Sequence, residues 1–169
     1  ATASDPAAIR VSGSAGAAPG AWAVRVTQLA RAQVASSRTF SSDAAGAAGA
    51  GSLDITVGAD APLSVSFTAA DDLTAIAARI NASGGRVTAS ILYDGTIDRL
   101  LVTAQDTGVA NAATFAETGS GLGLSNPGAV VMAARDALFT VAGVPVSRSS
   151  NLVTDALPGV TMELVATTA

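Results

Sequence analysis

The chain has no cysteine, no histidine and no lysine, and each absence excludes a kind of chemistry. Without Cys there are no disulfides, no thiolate metal sites and no thiol nucleophile. Without His the commonest general base and the commonest transition-metal ligand are missing, so a Ser–His–Asp triad is impossible. All nine basic residues are Arg, which removes Ser–Lys catalysis as well. A coding bias toward Ala, Gly and Arg accounts for that composition without a functional cause. Clustered positive charge is absent too, and a formal net charge of −4 argues against a nucleic-acid partner. No run of about 18 apolar residues occurs, so no membrane span is expected. Asp5, Pro6 and Arg10 interrupt any apolar leader at the start. Aromatic residues make up only 4% of the chain against 49% hydrophobic residues, and much of the latter is alanine. Alanine buries little area, so the core must come from scattered Val, Ile and Leu, with Trp22 and the four Phe as its largest pieces. The 169 residues suffice for one large domain or two small ones.

What is present is mostly strand. Ile9 and Val11 alternate with Arg10 and Ser12, and Trp22, Val24 and Val26 alternate with Ala23, Arg25 and Thr27. These read as two short strands joined by a Gly/Ala/Pro connection, with Trp22, Val24 and Val26 on one face and Trp22 a core ring. Residues 29–40 are open to strand or helix, with Phe40 a core anchor. The stretch SSDAAGAAGAGS at 41–52 cannot order itself by burial and reads as a mobile linker and a domain boundary. Leu53, Ile55 and Val57, then Leu63, Val65 and Phe67, predict a hairpin. Leu73, Ile76, Ala77 and Ile80 at i, i+3, i+4 and i+7 predict an amphipathic helix. Thr68 and Asp71 have capping-box spacing before it, and Gly84 and Gly85 stop it. Two further strands, 87–93 and 100–104, turn at Asp94 and Gly95. Residues 108–131 read as irregular. A hairpin of Leu138–Val141 and Val144–Val146 about Ala142–Gly143 and a last strand at 160–165 close the chain.

Candidates for chemistry are few. Gly119, Gly121 and Gly123 fit neither a GxGxxG nor a GxxxxGK[ST] phosphate loop. Asp71, Asp72, Asp94 and Asp98 lack the ligand density of a calcium loop. A dyad such as Asp54 with Asp106 depends on tertiary proximity, which the sequence does not show, and most Asp at turns and caps serve the backbone. Arg148, Ser149, Ser150 and Asn151 favour a structural turn over a partner contact. No catalytic, cofactor-binding or metal-binding residue is assigned, no cofactor is expected, and no particular interface residue is identified.

Three blocks carry a family resemblance. Gly20, Trp22, Val24, Val26, Gln28, Leu29, Ala30, Ala32 and Gln33 stand in the order found in bacterial flagellar filament-capping proteins, the hook-associated protein 2 family, where the aromatic is more usually Tyr. Asp136-Ala137, Arg148-Ser149-Ser150-Asn151, Asp155 and Gly159-Val160-Thr161 resemble a second block of that family. Gly51, Leu53, Ile55, Ile80-Asn81, Arg99–Thr103 and Thr107-Gly108 resemble the β-β-α-β-β insertion module of flagellins and hook-associated proteins.

The resemblance implies a β-rich α+β chain. Residues 1–44 and 134–169 would form a discontinuous, mostly antiparallel β domain, with the module inserted at 45–133. The Trp22–Val26 face would pair with the Leu138–Val146 hairpin and the strand at 160–164, since an isolated hairpin is marginal in water. It further implies an assembly protein of the flagellar filament cap, exported through the flagellar channel to the distal tip. There a ring-shaped homo-oligomer would promote flagellin incorporation, with no nucleic-acid or membrane partner and no enzymatic activity. The long heptad pattern of that family's coiled-coil regions is not seen, so the sequence reads as an excised fragment. The alternatives are an outer domain of another axial flagellar protein (flagellin or a hook–filament junction protein), or a secreted adhesin or carbohydrate-binding module.

Overall fold

A computed structural model describes residues 1–17 and 19–168. In chain order the strands begin with β1 (Ile9–Gly13), β2 (Val24–Gln28), β3 (Val34–Ser36), β4 (Gly51–Val57) and β5 (Leu63–Phe67). The one α-helix among the described residues, α1 (Leu73–Ala82), follows, then β6 (Val87–Tyr93), β7 (Asp98–Ala104), β8 (Ala113–Thr118) and β9 (Val130–Met132). The last four strands are β10 (Ala137–Val141), β11 (Val144–Arg148), β12 (Leu152–Leu157) and β13 (Val160–Leu164). The fold is β-rich, and the strand pairings among the described residues are antiparallel. The residues divide into two compact units: 1–31, 107–109 and 135–169 in the first, and 32–106 and 110–134 in the second.

The first unit has two sheets, ordered β1–β13–β12 and β11–β10–β2. Period-two patterning puts one apolar row of each strand inward. Val26 stands opposite Phe139, Val11 opposite Met162 and Val153 opposite Met162. Val26, Ala137, Phe139, Val153, Met162 and Leu164 are buried in one cluster. Phe139 and Met162, each almost wholly enclosed, contribute roughly 1.5–3 kcal/mol apiece in burial.

Two expectations are corrected here. The strand at 160–164 does not pair with β2; it lies in the other sheet between β1 and β12, and shares only the core with β2. Trp22 is not a core ring: β2 starts at Val24, and Trp22 precedes it with half its surface exposed. The inward positions on this strand are filled by smaller groups, Val26 opposite Phe139, so the ring is not needed to close the layer. At the β10–β11 turn, Ala142 itself adopts φ 50° beside Gly143 at φ 81°, the pair of left-handed residues that a two-residue hairpin requires.

In the second unit the sheets run β6–β7–β3–β9 and β5–β4–β8. Helix α1 packs on β6, β5 and β7, and its predicted stripe of Leu73, Ile76, Ala77 and Ile80 is the set that is buried. Both predicted hairpins form, β4 with β5 and β6 with β7, but in different sheets. The helix ends at Ser83, after which Gly84 takes a left-handed φ of 76°, whereas Gly85 is not in that region. Asp71 does accept from Thr68 N and Oγ1 as a box would, yet the helix starts one residue later. Asp72 is its N-cap, accepting from Ala75 N at 2.7 Å.

Residues 29–40, open to strand or helix on sequence, take the first of these, and two stretches that read as irregular or mobile are ordered differently. Residues 29–40 contain the short strand β3, hydrogen-bonded between β7 and β9, and Phe40 is buried as expected. Residues 108–131 supply β8 to β4 and begin β9. Their pattern is weak because the inward row of β8 is Ala113, Phe115 and Glu117, with a small residue and a carboxylate where larger apolar residues would mark a strand. Residues 41–52 are within the second unit, and the passage between units falls after Arg31. This glycine-rich stretch is fixed by polar bonds together with burial of its alanines. Arg38 Nη2 donates to Ala47 O at 2.9 Å and Gly121 N to Ala48 O at 2.8 Å. Ala48 is itself buried.

Candidate functional site

The residues that carry the resemblance are joined to one another by side-chain bonds to backbone. In the first unit Gln28 Nε2 donates to Asp136 O at 2.7 Å and Thr27 Oγ1 to Leu138 O at 2.9 Å. Asn151 closes on Ala30 twice, accepting from its N at 2.7 Å and donating to its O at 3.0 Å. Arg31 and Arg135 exchange both backbone bonds, at 2.9 and 3.0 Å. Asp136 Oδ1 accepts from Val109 N at 2.8 Å. The bonds from Gln28, Thr27, Ala30 and Arg31 span more than a hundred residues of sequence and substitute for strand pairing where β2 ends. In the second unit the buried amide of Gln33 does the same, donating to Ala113 O at 2.8 Å and accepting from Ala113 N at 3.0 Å. The motif is therefore scaffold. The Arg148–Asn151 block is scaffold too: Asn151 as above, and Arg148 Nε is held by both oxygens of Asp155 at 2.9 and 3.1 Å.

Most of the carboxylates considered as chemical candidates have local partners. Asp72 caps α1, and Asp71 pairs with Arg79 at 2.8 Å, a bond that with those from Thr68 holds its carboxyl below the ordinary range. Asp94 accepts from Ile97 N and Thr96 N across its turn, and these bonds lower its pKa. Asp98 forms a backbone bridge with Phe40. Asp54 stands in β4 opposite Ser64 and Ala116, while Asp106 is bound by Arg86 at 2.7 Å. Arg86 also meets Asp60 at 3.1 Å and Asn111 at 2.6 Å. No group of three or more acidic side chains among the described residues has the arrangement of a metal site.

The glycine loop does hold an anion, but one of its own. Glu117 accepts from Ser120 Oγ at 2.6 Å, Ser125 N at 3.0 Å and Gly123 N at 3.1 Å. Gly119 and Gly123 turn the loop at φ 71° and 79°, conformations that side-chain-bearing residues rarely take. Partial burial alone would push the Glu117 carboxyl up; the bonds from Ser120, Ser125, Gly123 and Leu124 outweigh it and leave the pKa lowered. Sequence reasoning named Gln33 only as a member of the motif string, and it missed Glu117 and Asp43, which bonds the start of α1 from a distant loop. The partners of Gln33 and Asp43 are remote in sequence, and those of Glu117, though near, are set by a loop conformation that no residue pattern marks.

What remains for partners is exposed apolar surface. In the first unit this includes Trp22, Val144 and Leu152, and in the second Leu92, Tyr93, Val131 and Met132. Among the described residues no helix is long and apolar enough to cross a membrane.

Residues 52–106 match the family described as the flagellin hook IN motif, and residues 134–169 match the flagellar hook-associated protein 2 C-terminus. The flagellar hook-associated protein 2 of Escherichia coli K12 is 33% identical over 91% of this chain; the chain spans 36% of that protein, about a third of its length. The D2–D3 domains of the E. coli flagellar cap protein FliD superpose with a TM-score of 0.88 at 32% identity, covering 96% of this chain and 89% of that one. The E. coli D1–D2–D3 structure gives a TM-score of 0.86 at 31% identity, covering 96% of this chain and 50% of that one. With an E. coli relative above 30% identity matched over most of both chains, and with the hook-associated protein 2 model matched at 134–169, the chain belongs to the flagellar hook-associated protein 2 (FliD) family.

Proposed function

We propose that this chain is the D2–D3-like part of a flagellar filament cap protein and acts by recognition and assembly, not by catalysis. The observation that carries this is the match to the E. coli D2–D3 domains over nearly the whole of both chains. In this reading the first unit is one domain, discontinuous in sequence, and the second unit is the other, inserted in it. The parent protein assembles as a homo-oligomeric ring at the distal tip of the filament, outside the cell. There it promotes insertion of flagellin exported through the channel. Local use of the Asp71, Asp72, Asp94 and Asp106 carboxylates supports a structural role, and the exposed apolar side chains supply contact surface.

The second reading, an outer domain of flagellin or a hook–filament junction protein, is favoured by the flagellin hook IN match at residues 52–106. The hook-associated protein 2 match at 134–169 favours the cap. The test is a strain whose cap protein lacks this segment. It is expected to shed flagellin into the medium and build few filaments, and filaments of normal number and length would overturn the proposal.

A further inference from the structure

Strand β6 is the outer strand of its sheet, paired with β7 alone among the described residues. Its seven residues, VTASILY, include no charge, no Pro and no Gly. An uncharged, strand-forming run on an open edge is the kind of segment that pairs with a copy of itself. Arg86 O accepts from Gln105 N in line with the β6–β7 ladder, and bonding alternates along an antiparallel pair. The backbone groups of Val87, Ala89, Ile91 and Tyr93 therefore face away from β7, toward the open edge.

Asn81, in the last turn of α1, occupies the middle of that outward row. Its Nδ2 donates to Ala89 O at 2.9 Å, and its Oδ1 accepts from Ala89 N at 2.7 Å. One amide thus takes both groups that an incoming strand would need at Ala89. Gln105 Nε2 donates to Val87 O at 3.4 Å, so the outward row stays open only at Ile91 and Tyr93. That open end is also where Leu92 and Tyr93 expose their side chains. The outer strand β8 carries the same device, since Gln33 meets both the N and the O of Ala113. Helix α1 does not need Asn81 to dock, because Leu73, Ile76, Ala77 and Ile80 are already buried beneath it.

We propose that Asn81 seals the β6 edge and keeps a second copy of this chain from pairing with it strand to strand. Without the amide, the free outward row lengthens to Ala89, Ile91 and Tyr93, with nothing charged along it to repel a copy.

The test follows hydrogen exchange and sedimentation of the 169-residue chain and its variants over a range of concentrations. In the parent, the Ala89 amide is expected to exchange as slowly as the ladder amides of β6, while Ile91 and Tyr93 exchange fast at every concentration. Asn81→Ala keeps a good helix former in α1 and is expected to self-associate. Exchange at Ile91 and Tyr93 should then slow about tenfold where about nine in ten chains are paired. Adding Ser90→Lys, a charge at an exposed position of β6, is expected to return that variant to the parent's behaviour. Asp72→Ala weakens the same helix with Asn81 in place, and is expected to sediment as the parent does. Fast exchange at Ala89 in the parent overturns the proposal, whether or not Asn81→Ala folds. So does an Asn81→Ala chain that sediments as the parent, one that associates without protecting Ile91 and Tyr93, or equal association in Asp72→Ala.

Discussion

Glu117 shows how a single carboxylate organises this protein. Three donors from a six-residue stretch converge on it, and the same stretch carries Leu122 and Leu124 into the core. Removing the charge leaves those donors with a weaker acceptor. Glu117→Gln is expected to cost about 1–2 kcal/mol, the lower part of the range for charge-assisted bonds because the side chain is only partly buried. The pH dependence follows from the sign of the shift. The folded pKa lies below the ordinary 4.5, so the stabilisation is fully present above the ordinary value and is lost as pH falls through the folded one. Urea melts from about pH 5 downward should show a shallower acid loss in Glu117→Gln than in the parent. Identical acid slopes would remove this role from Glu117.

At the scale of elements, α1 shows what a sequence does and does not reveal. Its apolar stripe was legible because the spacing of Leu73, Ile76, Ala77 and Ile80 is a local property, and all four are buried. Its start was only partly legible. Thr68 and Asp71 have the right spacing, but Asp72 takes the cap and a third carboxylate arrives from outside the element. Asp43 accepts from Leu73 N at 2.6 Å and from Thr74 Oγ1 at 2.6 Å. Asp72→Ala should cost about 1 kcal/mol, as N-cap losses do. Asp43→Ala should cost a similar amount and raise hydrogen exchange at Leu73 and Thr74, with Ala75 unaffected; unchanged exchange at those amides would show that Asp72 alone starts the helix. Sheet membership was not legible for a related reason. The β4–β5 and β6–β7 hairpins follow from local alternation, but their separate sheets are set by β8 and β3, which pair across long stretches of sequence. Likewise Trp22 shares an alternating string with Val24 and Val26, and nothing in that string says that the strand begins after it. The motif blocks of the candidate site were legible as residues, while their bonds, such as Asn151 to Ala30, needed the fold.

At the scale of the whole molecule, two apolar clusters do the stabilising, one in each unit. The surface charges do little by comparison. The pairs Arg10–Glu163, Arg86–Asp60, Arg86–Asp106 and Arg148–Asp155 all have both side chains well exposed, and exposed pairs contribute on the order of 0–1 kcal/mol. The first unit is assembled from the two ends of the chain, with β2 paired to β10 and β1 to β13. Its core depends on these long-range pairings, whereas in the second unit α1, β6 and β7 pack as neighbours in sequence beside the long-range β3–β9 and β4–β8 pairings. Local stability should therefore be separable by core substitution. Phe139→Ala should cost about 3–5 kcal/mol and Ile80→Ala about 2–5 kcal/mol, both being fully enclosed side chains. Hydrogen exchange should then lose protection in β2, β10 and β13 with Phe139→Ala while β6 and β7 keep theirs, and the converse with Ile80→Ala. If either substitution lowered protection equally in all of these strands, the two clusters would form one cooperative core, and the description of two separately stabilised units would fail.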